Sequence, residues 1–140
     1  MSEDKNAKTA SNERKASPFE SSIVFFPCGD IARTRAFYEG VLGLELALSQ
    51  GGGKSLIFDT GRGFIGFVEY GDGRPMPTGE LSPCISFNCG DRAAVDAAFI
   101  RVRDAGAEVM APPARHPRFA VYSCFFRDPD GYKVELQKIE

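Results

Sequence analysis

The stretch Ile23–Asp30, IVFFPCGD, returns 61 residues later as Cys84–Asp91, CISFNCGD. Each copy opens on a strand-sized stretch rich in apolar residues, turns polar at an aspartate, and runs into a helical pattern that stops at a glycine. The stops are Gly43 within VLGLEL and Gly106 within DAGAEV. Two copies of one small unit in a single chain point to two stacked modules with a cleft between them that suits a small ligand.

Working outward from the first copy, Ile23–Pro27 reads as a strand and Asp30 as a helix N-cap. Residues 31–41 then form a helix, with Ala36, Phe37, Val41 and Leu42 at helical spacing. Strands follow at 44–48, 55–58 and 64–70, separated by the glycine run 51–53 and a turn at 60–63. The Gly- and Pro-rich stretch 71–80, GDGRPMPTGE, reads as a linker. The second copy repeats the order: strand 84–88, cap Asp91, helix 93–105, stop Gly106, strand 108–110. A Pro-rich loop at 111–118 precedes a strand at 119–126, the DPDG turn at 128–131 and a strand at 132–138. Both halves are therefore βαβββ. The fold class is α+β, with modules at 21–70 and 81–138 inside one domain, 19–140. Residues 1–18 lack any large aliphatic or aromatic side chain after Met1, and read as a flexible tail.

Composition narrows the function. A 140-residue chain that is 43% hydrophobic can bury one core. A net charge of −2 offers no basic stripe for nucleic acid. No apolar run is long enough for a membrane, and no secretory leader is visible. The four cysteines (Cys28, Cys84, Cys89, Cys124) lack CxxC spacing and read as reduced thiols of a cytoplasmic protein. GGGKS at 51–55 is not a phosphate loop, because Leu48 stands where that motif needs glycine and a strand follows instead of a helix.

Two segments carry a family resemblance: Asp30 with Phe37, Tyr38 and Val41–Leu44, and FFRDPDGYKVELQ at 125–137. Set in the internal repeat, they make the chain resemble the vicinal oxygen chelate superfamily of glyoxalases, extradiol dioxygenases and bleomycin- or fosfomycin-resistance proteins. The resemblance implies a mixed sheet curled around a cavity, helices on the outer face, a small organic ligand and a homodimer.

A four-residue DPDG turn places Arg127 opposite Tyr132 and Cys124 opposite Glu135. Strand alternation then sends Tyr122, Cys124, Glu135 and Gln137 into the cavity, with Cys84, Ser86 and Asn88 from the opening strand. In the first module, Ile23 and Phe25 face inward, and matching Gly63 to Gly131 adds Phe67 and Glu69. These eleven residues are the expected ligand-binding set. In metal-dependent members of the family, ligands stand at positions that match Ile23, Phe67, Cys84 and Glu135. Isoleucine and phenylalanine cannot ligate, and a catalytic metal needs about three protein ligands. Neither a metal nor another cofactor is therefore expected. The one histidine, His116, falls in the Pro-rich loop, where a basic loop and an anion contact are both open readings. Glu135 also has two open readings: a general base in a lyase, isomerase or dioxygenase, or a family remnant tied to Tyr122 or Ser86. The leading function is metal-independent binding of a small organic molecule; the alternative is a lyase, isomerase or dioxygenase using Glu135 as general base or as residual metal ligand.

Overall fold

The computed structural model describes residues 16–140. The expected tail therefore lies, over residues 1–15, outside the described part. The elements are β1 (Ile23–Pro27), α1 (Ile31–Arg35), β2 (Glu45–Gln50), β3 (Ser55–Asp59), β4 (Phe64–Val68), β5 (Cys84–Asn88), α2 (Arg92–Asp104), β6 (Glu108–Arg115), β7 (Val121–Arg127) and β8 (Lys133–Ile139). They build two four-stranded mixed sheets, ordered β1-β4-β3-β2 and β5-β8-β7-β6. Both modules are βαβββ. No strand ladder joins β1 to β5, so the two sheets do not close on one another.

Each helix starts where a carboxylate can cap it. Asp30 Oδ1 accepts from Ala32 N at 3.0 Å and Asp91 Oδ1 from Ala94 N at 2.8 Å. Glu69 adds a second cap to α1, accepting from Ile31 N at 2.8 Å. The helix that begins as α1 widens into a π-helical segment, Ala36–Val41, closed by Leu42 N on Phe37 O at 2.9 Å. The wider turn lets neighbouring Phe37 and Tyr38 both point into the core. Gly43 ends this segment at φ +79° and Gly106 ends α2 at φ +94°, the left-handed geometry that glycine adopts without strain.

The stretch 111–115, expected as loop, is strand. β6 continues to Arg115 through two register shifts, one past Met110 and one, between Ala111 and Ala114, that absorbs Pro112 and Pro113. Prolines fit there because β6 is an edge strand and bulged residues need no ladder partner.

The modules share one core. Phe26, Phe58, Phe67 and Tyr38 interlock, and Tyr132 of the second module lies 5.2 Å from Phe26. The DPDG turn does more than reverse the chain. Tyr38 donates to Asp128 Oδ2 at 2.8 Å, Tyr132 OH donates to Pro27 O at 2.6 Å, and Gly29 N donates to Asp130 Oδ1 at 3.0 Å. Two residues of that turn, Asp128 and Asp130, and Tyr132 just after it therefore clamp the end of β1 and the π-helical segment.

Candidate functional site

Registers decide which side chains face away from the helices. In the second module, Arg127 pairs with Lys133, Phe125 with Glu135 and Cys124 with Leu136. The turn is one residue tighter than expected, because Asp128 N bonds to Tyr132 O and Asp128 Oδ1 accepts from Tyr132 N. That single step moves Tyr122 and Cys124 to the helix side. Cys124 is fully buried in the core, and Tyr122 donates its hydroxyl to Asp96 of α2 at 2.7 Å. Phe125 and Ser123 take their places on the open face.

The first module is corrected in the same way. Thr60 N bonds to Gly63 O, which makes this turn one residue shorter than its counterpart at 128–132. Gly66, not Phe67, is therefore the equivalent of Glu135. Phe67 belongs to the core, with its ring 4.4 Å from that of Tyr38. Glu69 lies beyond β4, bound to Ile31 N and to Lys54. The Lys54 pairing and the Ile31 N–H hold its carboxyl below its ordinary range.

The remaining seven expected site residues stand on the open faces. Across β1 and β4 the open-face pairs are Ile23 with Phe64, Phe25 with Gly66 and Pro27 with Val68. At the equivalent places across β5 and β8 stand Cys84 with Lys133, Ser86 with Glu135 and Asn88 with Gln137. One face is wholly apolar and the other wholly polar. The polar face is internally bonded: Ser86 donates to Glu135 Oε1 at 2.6 Å, and Gln137 Nε2 donates to Asn88 Oδ1 at 3.0 Å. Tyr122 is not a partner of Glu135. Cys84 Sγ lies 3.6 Å from Ser86 Oγ. Burial raises this thiol above its ordinary value, and the Glu135 carboxylate adds to the rise against the Ser86 contact.

Between the outer edges of β1 and β5 runs a groove of about 1100 Å³. Phe25, Cys84, Ser86 and Asn88 line it from the open faces, while Leu42, Leu44 and Arg101 reach it from the helical side. Ile23, Glu135 and Gln137 are not among its lining residues. Arg62 and Arg101 were not visible as site residues from sequence, because both belong to elements that only the three-dimensional fold brings to the groove. Gly66 was visible in principle, since an isolated glycine in a strand marks a close approach.

A single relationship tests the family's metal site. A β-carbon at Gly66 would lie 2.5 Å from two ring carbons of Phe25. The ring occupies the space in which a ligand at that position would stand. Of the four equivalent positions, Ile23 and Gly66 offer no donor, and Cys84 is held as a neutral thiol. Among the described residues no group of three or more His, Cys, Asp or Glu is placed to hold a metal. The residues do not fit a divalent centre here.

The fold and the repeat of site positions agree with sequence comparison: the family model Glyoxalase/Bleomycin resistance protein/Dioxygenase superfamily matches residues 22–136. The chain belongs to this superfamily. Solved structures similar to it include a glyoxalase/bleomycin resistance protein/dioxygenase family enzyme from Burkholderia phytofirmans PsJN, with TM-score 0.72 and 22% identity, covering 85% of this chain and 98% of that one. TioX from Micromonospora sp. ML1 gives TM-score 0.68 at 22% identity, covering 87% of this chain and all (100%) of that one. Lactoylglutathione lyase from Agrobacterium tumefaciens gives 0.67 at 24% identity, covering 87% and 96%. At these identities the likeness concerns the superfamily fold. No curated protein matches the sequence. No helix among the described residues is long and apolar enough to cross a membrane.

Proposed function

We propose that this chain binds a small organic molecule in the β1–β5 groove, with no metal at the position where metal-dependent relatives hold one. The observation that carries the reading is the Phe25 ring lying over Gly66 opposite the Ser86–Glu135 pair of the other module. The site has exchanged a ligand position for an aromatic surface, and retention by affinity alone needs no metal. A groove with an apolar floor and a few hydrogen-bonding groups is the usual form of such a site. Phe25 supplies apolar contact; Cys84, Ser86 and Asn88 set orientation, with Glu135 and Gln137 fixing the last two from behind.

The same proposal includes a homodimer in a reducing, cytoplasmic setting. Ile23 and Phe25 are 40% and 49% exposed on a face that no other part of the described chain covers, and all four cysteines are free thiols. Sedimentation analysis tests the dimer directly.

An enzymatic reading, as lyase, isomerase or dioxygenase, rests on Glu135: its Oε1 is bonded to Ser86, and its second oxygen has no partner among the described residues. Such a carboxylate can accept a proton from a bound substrate. Metal analysis by elemental mass spectrometry, followed by a small-molecule thermal-shift screen, tests the leading reading. Near-stoichiometric Zn, Ni, Mn or Fe overturns it. With a hit in hand, Glu135→Gln weakens affinity only modestly if the protein is a binder. Abolished turnover with intact fold and affinity establishes the enzyme instead.

A further inference from the structure

The groove has a direction. At one end Pro27 O takes the Tyr132 hydroxyl, and Tyr132 immediately precedes β8, whose Lys133 pairs with Cys84. The end of β1 therefore lies beside the start of β5, and the two strands run oppositely along the groove. At the other end, the start of β1 lies beside the end of β5, near Asn88. Both charged side chains of the groove lie at this second end. Arg62 sits in the turn before Phe64, and Phe64 pairs with Ile23. Arg101 reaches across from α2, donating from Nε to Val41 O at 3.5 Å. Val41 closes the helical segment that returns from the end of β1 towards its start.

No Asp or Glu lines the groove. Neither Arg62 nor Arg101 has a carboxylate partner among the described residues, whereas Arg35, Arg74, Arg92 and Arg103 each do. The rest of the lining is apolar or neutral, with Phe26, Leu44, Phe64, Ile85 and Phe87 prominent. Two unpaired guanidinium groups at one end of an aromatic channel suit one ligand chemistry. A carboxylate matches the planar fork of arginine, and the half-exposed position spares the ion the full cost of burial.

We propose that the ligand of this groove is an amphipathic organic carboxylate, its aromatic or alicyclic body along the apolar floor and its carboxylate between Arg62 and Arg101. The assignment rests on the groove-binding reading above. It excludes cationic ligands at this end, and it gives Arg62 and Arg101 the role of selecting charge.

The test is calorimetric titration of the full chain with 2-naphthoate, 2-naphthalenemethanol and 2-naphthylmethylamine. The proteins compared are the unaltered chain, Arg62→Gln, Arg101→Gln and the groove-filling Cys84→Trp, each checked for fold by circular dichroism. Naphthoate is expected to bind at least tenfold more tightly than the alcohol, and the amine more weakly still. Each arginine substitution weakens naphthoate about tenfold and leaves the alcohol unchanged, and added salt weakens only naphthoate. Cys84→Trp weakens acid and alcohol alike. Equal binding of acid and alcohol, indifferent to both arginine variants and lost in Cys84→Trp, overturns the carboxylate assignment while leaving the groove reading intact. Tighter binding of the amine does the same. Naphthoate binding that survives Cys84→Trp, or no binding of any of the three, overturns the assignment together with the groove reading.

Discussion

The ring of Phe25 lies on Gly66, so close that a β-carbon there would approach its Cδ1 and Cε1 to 2.5 Å. In the second module the same two places carry Ser86 and Glu135, joined by a 2.6 Å hydrogen bond. One position of the repeat has kept a carboxylate and the other has become a surface. On this asymmetry, more than on any single residue, the proposal of a metal-free site rests.

Gly66→Ala is expected to destabilise the fold by about 1 kcal/mol or less, because the crowded group is a half-exposed ring that can swing aside and alanine offsets part of the cost by its lower backbone entropy. Gly66 has no positive φ, so crowding by the ring is the whole cause. In a Phe25→Ala background the cost should vanish, because the half-exposed ring is what must move. Urea denaturation of the four-member cycle checks this. A cost that persists in the double variant shows that the ring is not the obstacle.

The corrected register makes a prediction about thiols. Cys28 and Cys124 are 3% and 0% exposed, whereas Cys84 lies on the open face. Mild alkylation of native protein followed by peptide mass spectrometry should modify Cys84 first, slowly because its thiol is raised. Cys28 and Cys124 should react only after denaturation. Rapid native labelling of Cys124 would place it back on the open face and contradict the observed hairpin.

Much of this molecule was legible in its sequence. The repeat gave the βαβββ order, Asp30 and Asp91 cap their helices as read, and Gly43 and Gly106 stop them. Seven of the eleven residues expected to face inward do face away from the helices, and four of those, Phe25, Cys84, Ser86 and Asn88, line the groove. The failures share one physical cause. Side-chain facing has period two, so a turn misjudged by one residue inverts everything on its strand. The turn at 128–132 is tightened by backbone bonds to Asp128, and the turn at 60–63 is one residue shorter still; Phe67, Tyr122 and Cys124 were inverted as a result. Pro112 and Pro113 concealed a strand, because sequence alone does not reveal that β6 is an edge. Arg62 and Arg101 converge only through the packing of the two modules.

Alkaline pH should erode stability. Burial pushes the Cys28 thiol from 9.0 up to about 11, and the Cys124 thiol from 9.0 up to about 12. The folded chain keeps both protons after the unfolded chain has begun to lose them. Their stabilising contribution is present below pH 9 and disappears as pH rises towards 11–12. Between pH 8 and pH 10 the two thiols together should remove about 2–3 kcal/mol, measured by urea unfolding under reducing conditions. Cys124→Ala should flatten the slope by about one proton. A curve unchanged by that substitution would assign the alkaline loss to other groups.

The bond from Tyr38 to Asp128 predicts how the modules hold together. Burial raises the Asp128 carboxyl above its ordinary value, and the bonds from Tyr38, Tyr132 N and Asp130 N oppose that rise. Tyr38→Phe removes one of these bonds while keeping the ring against Phe67. The expected cost is about 1–3 kcal/mol at pH 7, where a buried carboxylate has lost a donor. Without Tyr38 the folded-state value of Asp128 rises further, so the cost should shrink as pH falls through that raised value, because a protonated carboxyl loses less when its donor is removed. Asp128→Asn should make Tyr38→Phe cheaper, since a neutral amide demands less of its donors. Parallel urea curves for the single and double variants at pH 5 and pH 7 measure the coupling. A Tyr38→Phe cost that is equal at both pH values, and unaltered by Asp128→Asn, would show that the hydroxyl is not what stabilises the turn against the first module.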